Sequence, residues 1–460
     1  MKRKIAIAGA SGFVGRWIIE SMHQEYEILA LSRKTAISTI RQNVIWRTTD
    51  LYSLTDTTAA LKDVDVAIYL IHSMLPQTRL TQGSFEDMDL LLADNFRKAA
   101  SKQKVKQVIY IGGIIPNNTS KLSKHLESRL EVEETLKQGD VPVTSIRASI
   151  VIGPGGSSFQ LMRNLIQNLP VLICPKWTSN ACQPVDIREL LAFLSITIGN
   201  SIYFNRSVNV GGPKAVTYFE LMKKTAALLG LKRVWLGVPI NGVSFSKWWV
   251  SKFSSTSYAL VSPLIESLTH EMKISEKESD QWLGEISLES TLAHVQAAKL
   301  PAIPLRINTP EERNTVRSVQ RMTAAQGWTA FSIGKYYPYW LQKKSFGLLR
   351  VRVEKKQVYT LRLVGIKILE LSLIEERSND DRLLYFITGG LLVKRREQGW
   401  LEFRSVLKGK FVMVALHEFV PTIPWTFYKY SQALLHLLVM KSFDRSINGS
   451  PEQSLTMNVF

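Results

Sequence analysis

The sequence predicts a doubly wound α/β unit on a parallel sheet with a smaller lobe, then a separate α+β domain with an antiparallel sheet and a long C-terminal helix. Three patterns predict it. Over the first two hundred residues, short runs that are apolar at nearly every position alternate with longer helical stretches, as strands buried on both faces require. A glycine-rich turn, Gly9 to Gly15, follows the first run directly. Beyond Leu349, apolar residues recur at every second position, which suits antiparallel strands with one wet face.

In the first unit, strands are expected at Lys4–Ala8, Glu27–Leu31, Val44–Arg47, Val66–Ile71, Val105–Ile111 and Val143–Ile146. Helices are expected over Phe13–His23, Phe85–Lys102 and Lys124–Lys137. Strand–helix alternation at this spacing builds right-handed βαβ units. From about 154 to 300 the pattern loosens into a smaller lobe that completes the sheet and covers a ligand. Helices recur there at Ile187–Ile198 and Tyr218–Leu229, with a strand near Ser207–Val210 and a Trp/Ser-rich segment at Ser244–Ser257. Residues 1–300 therefore read as one unit. The stretch from Leu300 to Pro310 holds three prolines, so 301–312 reads as a linker.

The second domain, 313–447, follows. Leu349, Val351 and Val353 alternate with Arg350, Arg352 and Glu354, and Leu369, Leu371 and Leu373 alternate with Glu370 and Ser372. More strands are expected at Leu383–Thr388, Trp400–Val406 and Phe411–Phe419, with a long helix at Trp425–Phe443 closing the sheet. Residues 448–460 read as a frayed polar tail. No internal repeat or low-complexity tract is visible.

Composition narrows the partners. The 460 residues are 45% apolar and 21% charged, which is ordinary for a globular chain. The balance of 58 basic against 39 acidic residues, +19 formally, favours contact with something anionic. Residues 302–460 carry 24 of the basic and 13 of the acidic residues. The basic residues are dispersed and no helix-turn-helix, zinc finger or aromatic RNA platform is legible, which argues against nucleic acid. Two cysteines, Cys174 and Cys182, make no disulfide framework, and no Cys/His cluster has metal spacing. A reducing cytoplasm fits best. The basic start, Met1-Lys2-Arg3-Lys4, is followed by an apolar stretch too short for a signal peptide, and no uncharged apolar run reaches the ~18 residues of a spanning helix. Trp425–Phe443 is interrupted by Lys429, His436 and Lys441 and reads as an amphipathic helix on protein, with peripheral membrane contact as the alternative.

The glycine turn carries the chemistry. In Gly9-Ala10-Ser11-Gly12-Phe13-Val14-Gly15, glycine permits the sharp turn at Gly9, the close approach of a pyrophosphate at Gly12, and the crossing of helix and strand at Gly15. The helix that starts there offers free amides and a positive dipole end. This is the setting of a Rossmann-type dinucleotide site. An acidic residue at the end of the second strand would bind the ribose hydroxyls of NAD(H), but this chain has Ser32-Arg33-Lys34. A guanidinium grips a 2′-phosphate with paired donors, so NADP(H) is favoured over NAD(H).

These motifs, with Asp50-Leu51 after the third strand and Tyr69-Leu70-Ile71-His72-Ser73-Met74 after the fourth, resemble the atypical extended short-chain dehydrogenase/reductases, in their epimerase/dehydratase-like or NmrA-like branch. Arg147–Gly155, Gln183–Ile187, Asn209–Pro213 and Leu264–Leu268 resemble it too, and the likeness covers about residues 3–300. It implies that Asp50 and Leu51 hold the adenine, that Ile71, His72 and Ser73 line the ribose, and that Arg147–Gly153, with Ser149, approaches the nicotinamide. The departures are as informative. Where the family has Tyr-x-x-x-Lys, this chain has His125-Leu126-Glu127-Ser128-Arg129, and the usual Ser at the end of the fifth strand is replaced by Gly112-Gly113. Arg129 is left to hold the ribose and His125 is the candidate acid/base. Gly112 joins the positions expected to line the cofactor.

The second domain resembles the helix-grip (START/SRPBCC-like) proteins in its strand meander and closing helix, which implies an apolar pocket for a lipid-like ligand. Trp425, Phe427, Tyr428 and Tyr430 are expected to be core, and Lys394-Arg395-Arg396 a solvated turn. Three functions stay open. The first is an NADP(H)-dependent oxidoreductase acting on an apolar carbonyl, quinone or sugar-nucleotide-like substrate. The second is a non-catalytic NADP(H) sensor, and the third a lipid carrier regulated by its nucleotide domain. Either a monomer or a homodimer is compatible with the sequence.

Overall fold

The computed structural model describes residues 2–36, 41–72, 80–116, 122–239, 243–253, 258–275, 280–304, 306–307, 315–323, 327–354, 357–394 and 398–448. The chain forms two compact units, Met1–Leu75 with Leu92–Ile307, and Pro76–Leu91 with Asn308–Phe460.

The first unit is built on strands β1 (Lys4–Ala8), β2 (Glu27–Ser32), β3 (Val44–Thr48), β4 (Val66–Tyr69), β5 (Gln107–Gly113), β6 (Val143–Ala148), β7 (Ser207–Gly211) and β8 (Gln281–Leu283). They lie side by side in the order β3-β2-β1-β4-β5-β6-β7-β8, and every neighbouring pair is parallel. Ile5, Ala6, Ile7 and Ala8 are fully buried, so the centre of the sheet is covered on both faces. Helices α1 (Phe13–Met22), α2 (Leu54–Ala60), α3 (Phe85–Lys102, of which Leu92–Lys102 belong to this unit), α4 (Lys124–Leu136), α5 (Ser157–Asn168), α6 (Ile187–Thr197), α7 (Tyr218–Leu228), α8 (Val243–Phe253), α9 (Tyr258–Leu268) and α10 (Leu288–Ala297) follow in sequence. Strand order reverses between β1 and β4, which opens a crevice at their carboxyl ends.

Local chemistry moves some boundaries from their expected places. Val105 was expected to open a strand, yet Lys104 adopts φ +54° and Val105 N–H returns to Ala100 O at 3.1 Å. That closes α3, and the strand begins at Gln107. β4 ends at Tyr69 rather than Ile71. The proline-rich stretch contributes Arg306–Ile307, paired antiparallel with Thr35–Ala36.

The second unit holds β9 (Val316–Thr323), α11 (Ala330–Lys344), β10 (Leu349–Glu354), β11 (Val358–Leu363), β12 (Ile366–Leu373), β13 (Arg382–Gly389), β14 (Trp400–Val406), β15 (Phe411–Phe419), α12 (Trp425–Tyr430) and α13 (Gln432–Asn448). The meander β10-β11-β12-β13-β14-β15 is antiparallel and β9 pairs antiparallel with β15. A short strand, Leu80–Gln82, adds itself parallel to β9 at the far edge. Gln82 Nε2 donates to Ala433 O of α13 at 2.9 Å.

One sheet face packs on the helices through Tyr337, Trp340, Phe403 and Phe443. A side chain at Gly334 would meet Leu383 at 2.9 Å and Phe403 at 3.0 Å, so glycine lets α11 lie this close to the sheet. The expected single C-terminal helix is two. Ser431 breaks it with φ −127°, ψ −85°, and the second part runs on to Asn448. Of the four aromatics expected in the core, Tyr428 is buried and Trp425 half-buried, but Phe427 and Tyr430 are exposed. Arg395 and Arg396 lie outside the described residues.

The opposite sheet face is not uniformly wet either. Glu402, Arg404 and His417 there are buried. Glu402 accepts from Arg404 Nε at 2.8 Å and from Arg382, whose own strand pairs with β14. Burial alone would raise the Glu402 pKa, but the Arg404 and Arg382 guanidiniums outweigh it and hold it at about 2. Removing one partner of a buried ion network costs about 3–5 kcal/mol. Glu402→Ala should therefore lower urea stability by about that amount. Because the folded pKa lies below the ordinary 4.5, the stabilisation is complete above pH 4.5 and is lost as pH falls toward about 2. Denaturation followed across that range checks it, since the variant's curve should be flatter.

Candidate functional site

The site is built where β1 meets α1. Ala8 lies beside Tyr69 in the sheet, and Leu70 N–H donates to Ala8 O at 2.9 Å, so the two strand ends run together. Gly9 then turns with φ +94°, and a side chain there would sit 3.1 Å from Leu70 Cβ. Gly12 N–H closes the turn on Gly9 O at 2.9 Å. A side chain at Gly15 would be 2.5 Å from Gly9 O, so only glycine lets α1 start this close to the turn. Gly12 is the N-cap and supplies no side-chain cap, and the first turn of α1 holds no acidic residue. The start of α1 thus has neither a side-chain cap nor a side chain at Gly12 over it. Ala10 is buried beneath the turn and Ser11 is half-buried.

At the end of β2, Ser32 is buried and its hydroxyl accepts from Lys34 N–H at 3.2 Å, which shapes the turn. Arg33 and Lys34 stand exposed. After β3, Asp50 accepts from Tyr52 N–H at 3.0 Å in a side-chain turn. Asn95 of α3 donates to Leu51 O at 2.9 Å and Tyr52 O at 2.8 Å, which pins this segment.

Helix α4 supplies the charged cluster. Arg129 is buried and its guanidinium reaches Ile71 O at 3.4 Å and His72 Nδ1 at 2.9 Å. A guanidinium only donates, so His72 Nδ1 is an acceptor. The His72 and His125 rings lie 4.9 Å apart. His125 Nδ1 lies 2.7 Å from Ser267 Oγ, and the Ser267 hydroxyl is given to Pro263 O at 3.1 Å. With the Ser267 hydroxyl on Pro263 O, the proton of neutral His125 sits on Nδ1 and Nε2 is the acceptor. Burial, then His72, then Arg129 hold the His125 pKa well below 6.5, so the imidazole is neutral at pH 7. One turn further, Glu133 takes both Arg147 Nε and Nη2 at 2.9 Å and Lys137 at 2.7 Å. Arg147 is thereby held in an ion pair with the helix.

A cavity of about 370 Å³ is lined by the start of α1 and by the cluster on α4. Phe13 and Val14 of α1, Gly112, His72, His125 and Arg129 line it together with the apolar side chains of Trp177, Met222, Trp249 and Leu264. Ser149 also lines it, but its hydroxyl is held between Met272 O at 2.7 Å and Gln183 N–H at 3.1 Å. Gly112 is glycine because a side chain would meet the Tyr110 ring at 2.7 Å, and the Tyr110 hydroxyl anchors Arg129 O at 3.1 Å. Ser73 lies outside the described residues. Ser267 was not singled out as a site residue from sequence. It lies in the stretch Leu264–Leu268 that carries part of the resemblance, but it is 142 positions from His125, so nothing local ties it to that ring.

Residues 5–174 match the model of the NAD dependent epimerase/dehydratase family. Among curated proteins, the chain is 32% identical to auxiliary protein GraX of Staphylococcus aureus over 114 residues, which is 25% of this chain and 37% of that one. Among solved structures, the fold is similar to UDP-N-acetylglucosamine 4-epimerase from Bacillus cereus, with 16% identity, 58% of this chain and 96% of that chain covered, and a TM-score of 0.42. The Bordetella bronchiseptica enzyme WbmG, in complex with NAD and UDP, has 14% identity and a TM-score of 0.46, covering 65% of this chain and 94% of that one.

Because Arg129 helps to lower the His125 pKa, Arg129→Met should move it back toward 6.5 while burial still keeps it below. NMR titration of the imidazole protons checks this; an unchanged value would show that the guanidinium does not act on the ring.

Proposed function

We propose that the first unit binds NADP(H) and acts as an oxidoreductase on an apolar carbonyl or quinone-like substrate. The observation that carries this is that one cavity is lined both by Phe13 and Val14, at the start of α1, and by His72, His125 and Arg129, with apolar side chains making up most of the rest of its walls. Those walls suit an apolar substrate better than a sugar nucleotide.

Gly9, Gly12 and Gly15, with Ala10, Ser11, Phe13 and Val14, would receive the diphosphate on the amides of α1. Ser32, Arg33 and Lys34 would take the 2′-phosphate, and the pinned turn at Asp50-Leu51 the adenine. Ile71, His72 and Arg129 would face the ribose, and Gly112 leaves space next to them. A bound nicotinamide would supply or take up a hydride. His125 Nε2 would accept the proton of a substrate hydroxyl and return it in the reverse direction, with Ser267 fixing the ring. Arg129 cannot titrate as the family's lysine does, so its part is to hold and not to exchange a proton.

The second reading, NADP(H) binding without turnover, is favoured by the same departures: His125 for the tyrosine, Arg129 for the lysine, and Gly112-Gly113 for the serine. In that reading the second unit, whose strand and helix order resembles helix-grip proteins, would hold the hydrophobic ligand.

NADPH should bind at least about tenfold more tightly than NADH, and Arg33→Asp should abolish the difference, since a charge-assisted contact contributes about 1.5–3 kcal/mol. Titration by calorimetry reads this, and equal affinities in the wild type would refute the assignment. NADPH oxidation with quinones or aldehydes separates the two functions. Turnover that falls about a hundredfold in His125→Ala supports the first reading; tight binding with no oxidation of any acceptor supports the second.

A further inference from the structure

The second unit carries a surface that the dinucleotide site does not use. Two neighbouring turns end in apolar side chains. Phe346, between α11 and β10, is 96% exposed, and Val364, between β11 and β12, is 77% exposed. Leu348 and Ile366 beside them are 62% and 59% exposed. The turns are tied together by Val364 N–H on Leu348 O at 3.2 Å. Phe346 and Val364 both adopt left-handed backbone, φ +51° and +48°, and each precedes a glycine with positive φ. Leu363 pairs with Ile366 across the two-residue turn Val364-Gly365, a position where asparagine is the comfortable residue and a β-branched one is strained.

Behind the tips, Arg350, Arg352 and Arg362 line one open groove, whose lining contains no carboxylate. Arg350 stands directly opposite Arg362 in the strand register, an arrangement that destabilises a sheet unless an anion relieves it. Lys343 and Lys344 add charge, exposed at the end of α11.

We infer that this edge of the second unit docks on an anionic lipid bilayer, with Phe346 and Val364 entering the interface and the three arginines meeting headgroup phosphates. A soluble anion would account for the arginines but not for strained, convex apolar tips. A protein groove would accept the tips but gives no reason for facing guanidiniums. A bilayer surface satisfies both, and the excess of 58 basic over 39 acidic residues works in the same direction.

The test uses the full chain and vesicles of phosphatidylcholine, with or without phosphatidylglycerol, in co-sedimentation. Binding is expected only to the anionic vesicles and should weaken as salt rises. Phe346→Asn with Val364→Asn keeps left-handed turns that asparagine tolerates, so thermal stability should hold or rise while binding falls at least about tenfold. Arg350→Glu with Arg362→Glu should abolish it. Equal binding to neutral vesicles, or none to either, overturns the inference. So does undiminished binding by the asparagine variant, or displacement by inorganic phosphate beyond that by sodium chloride of equal ionic strength. A dimer that the asparagine variant dissolves, without vesicle binding, would instead assign the tips to a second copy.

Discussion

The first unit depends on one close approach of backbone to backbone, where the ends of β1 and β4 run together and α1 starts almost on top of Gly9. Side chains are excluded there by geometry. At Gly15 a single methyl group would overlap the Gly9 carbonyl, and at Gly9 it would press on Leu70. This close approach, which only glycines permit, places the uncapped start of α1 at the reversal of strand order.

The cluster on α4 shows how a cation can govern neutral groups. Arg129 donates to His72 and to the Ile71 carbonyl, so it fixes the chain after β4, and its charge disfavours protonation of the nearby His125 imidazole. A lysine in its place would reach one acceptor with a flexible stem, whereas the planar guanidinium spans two. The same residue type therefore holds geometry and keeps His125 uncharged. Ser267 completes the arrangement from a distant helix.

Much of this was legible in the chain because the relevant physics is local. The glycine turn, the central strands and α1, α4, α6 and α7 announce themselves by the spacing of their apolar residues, and the structure adds caps such as Ser123 and Asp186. Other elements are set by tertiary packing against their own propensities. Helix α11 contains Gly334 and Pro338, and α9 contains Pro263, so neither has a clean helical signature. The buried charges at Glu402 and Arg404 alternate with apolar residues as a solvated face would, and only their mutual pairing reveals that they are inside. Which face of the cavity His125 serves depends on Ser267, and a contact over that sequence distance leaves no local trace.

Leu80–Gln82 has a consequence of another kind. This strand is coded between β4 and β5 of the first unit, yet it closes the edge of the second unit's sheet beside β9. The two units therefore alternate along the chain, and no single cut in the gene separates them intact. A fragment beginning after residue 300 would display the naked border of β9, an invitation to clumping. The partnership of these two folds is consequently heritable only as a whole, and any shuffling of one without the other has to bring this small insertion along.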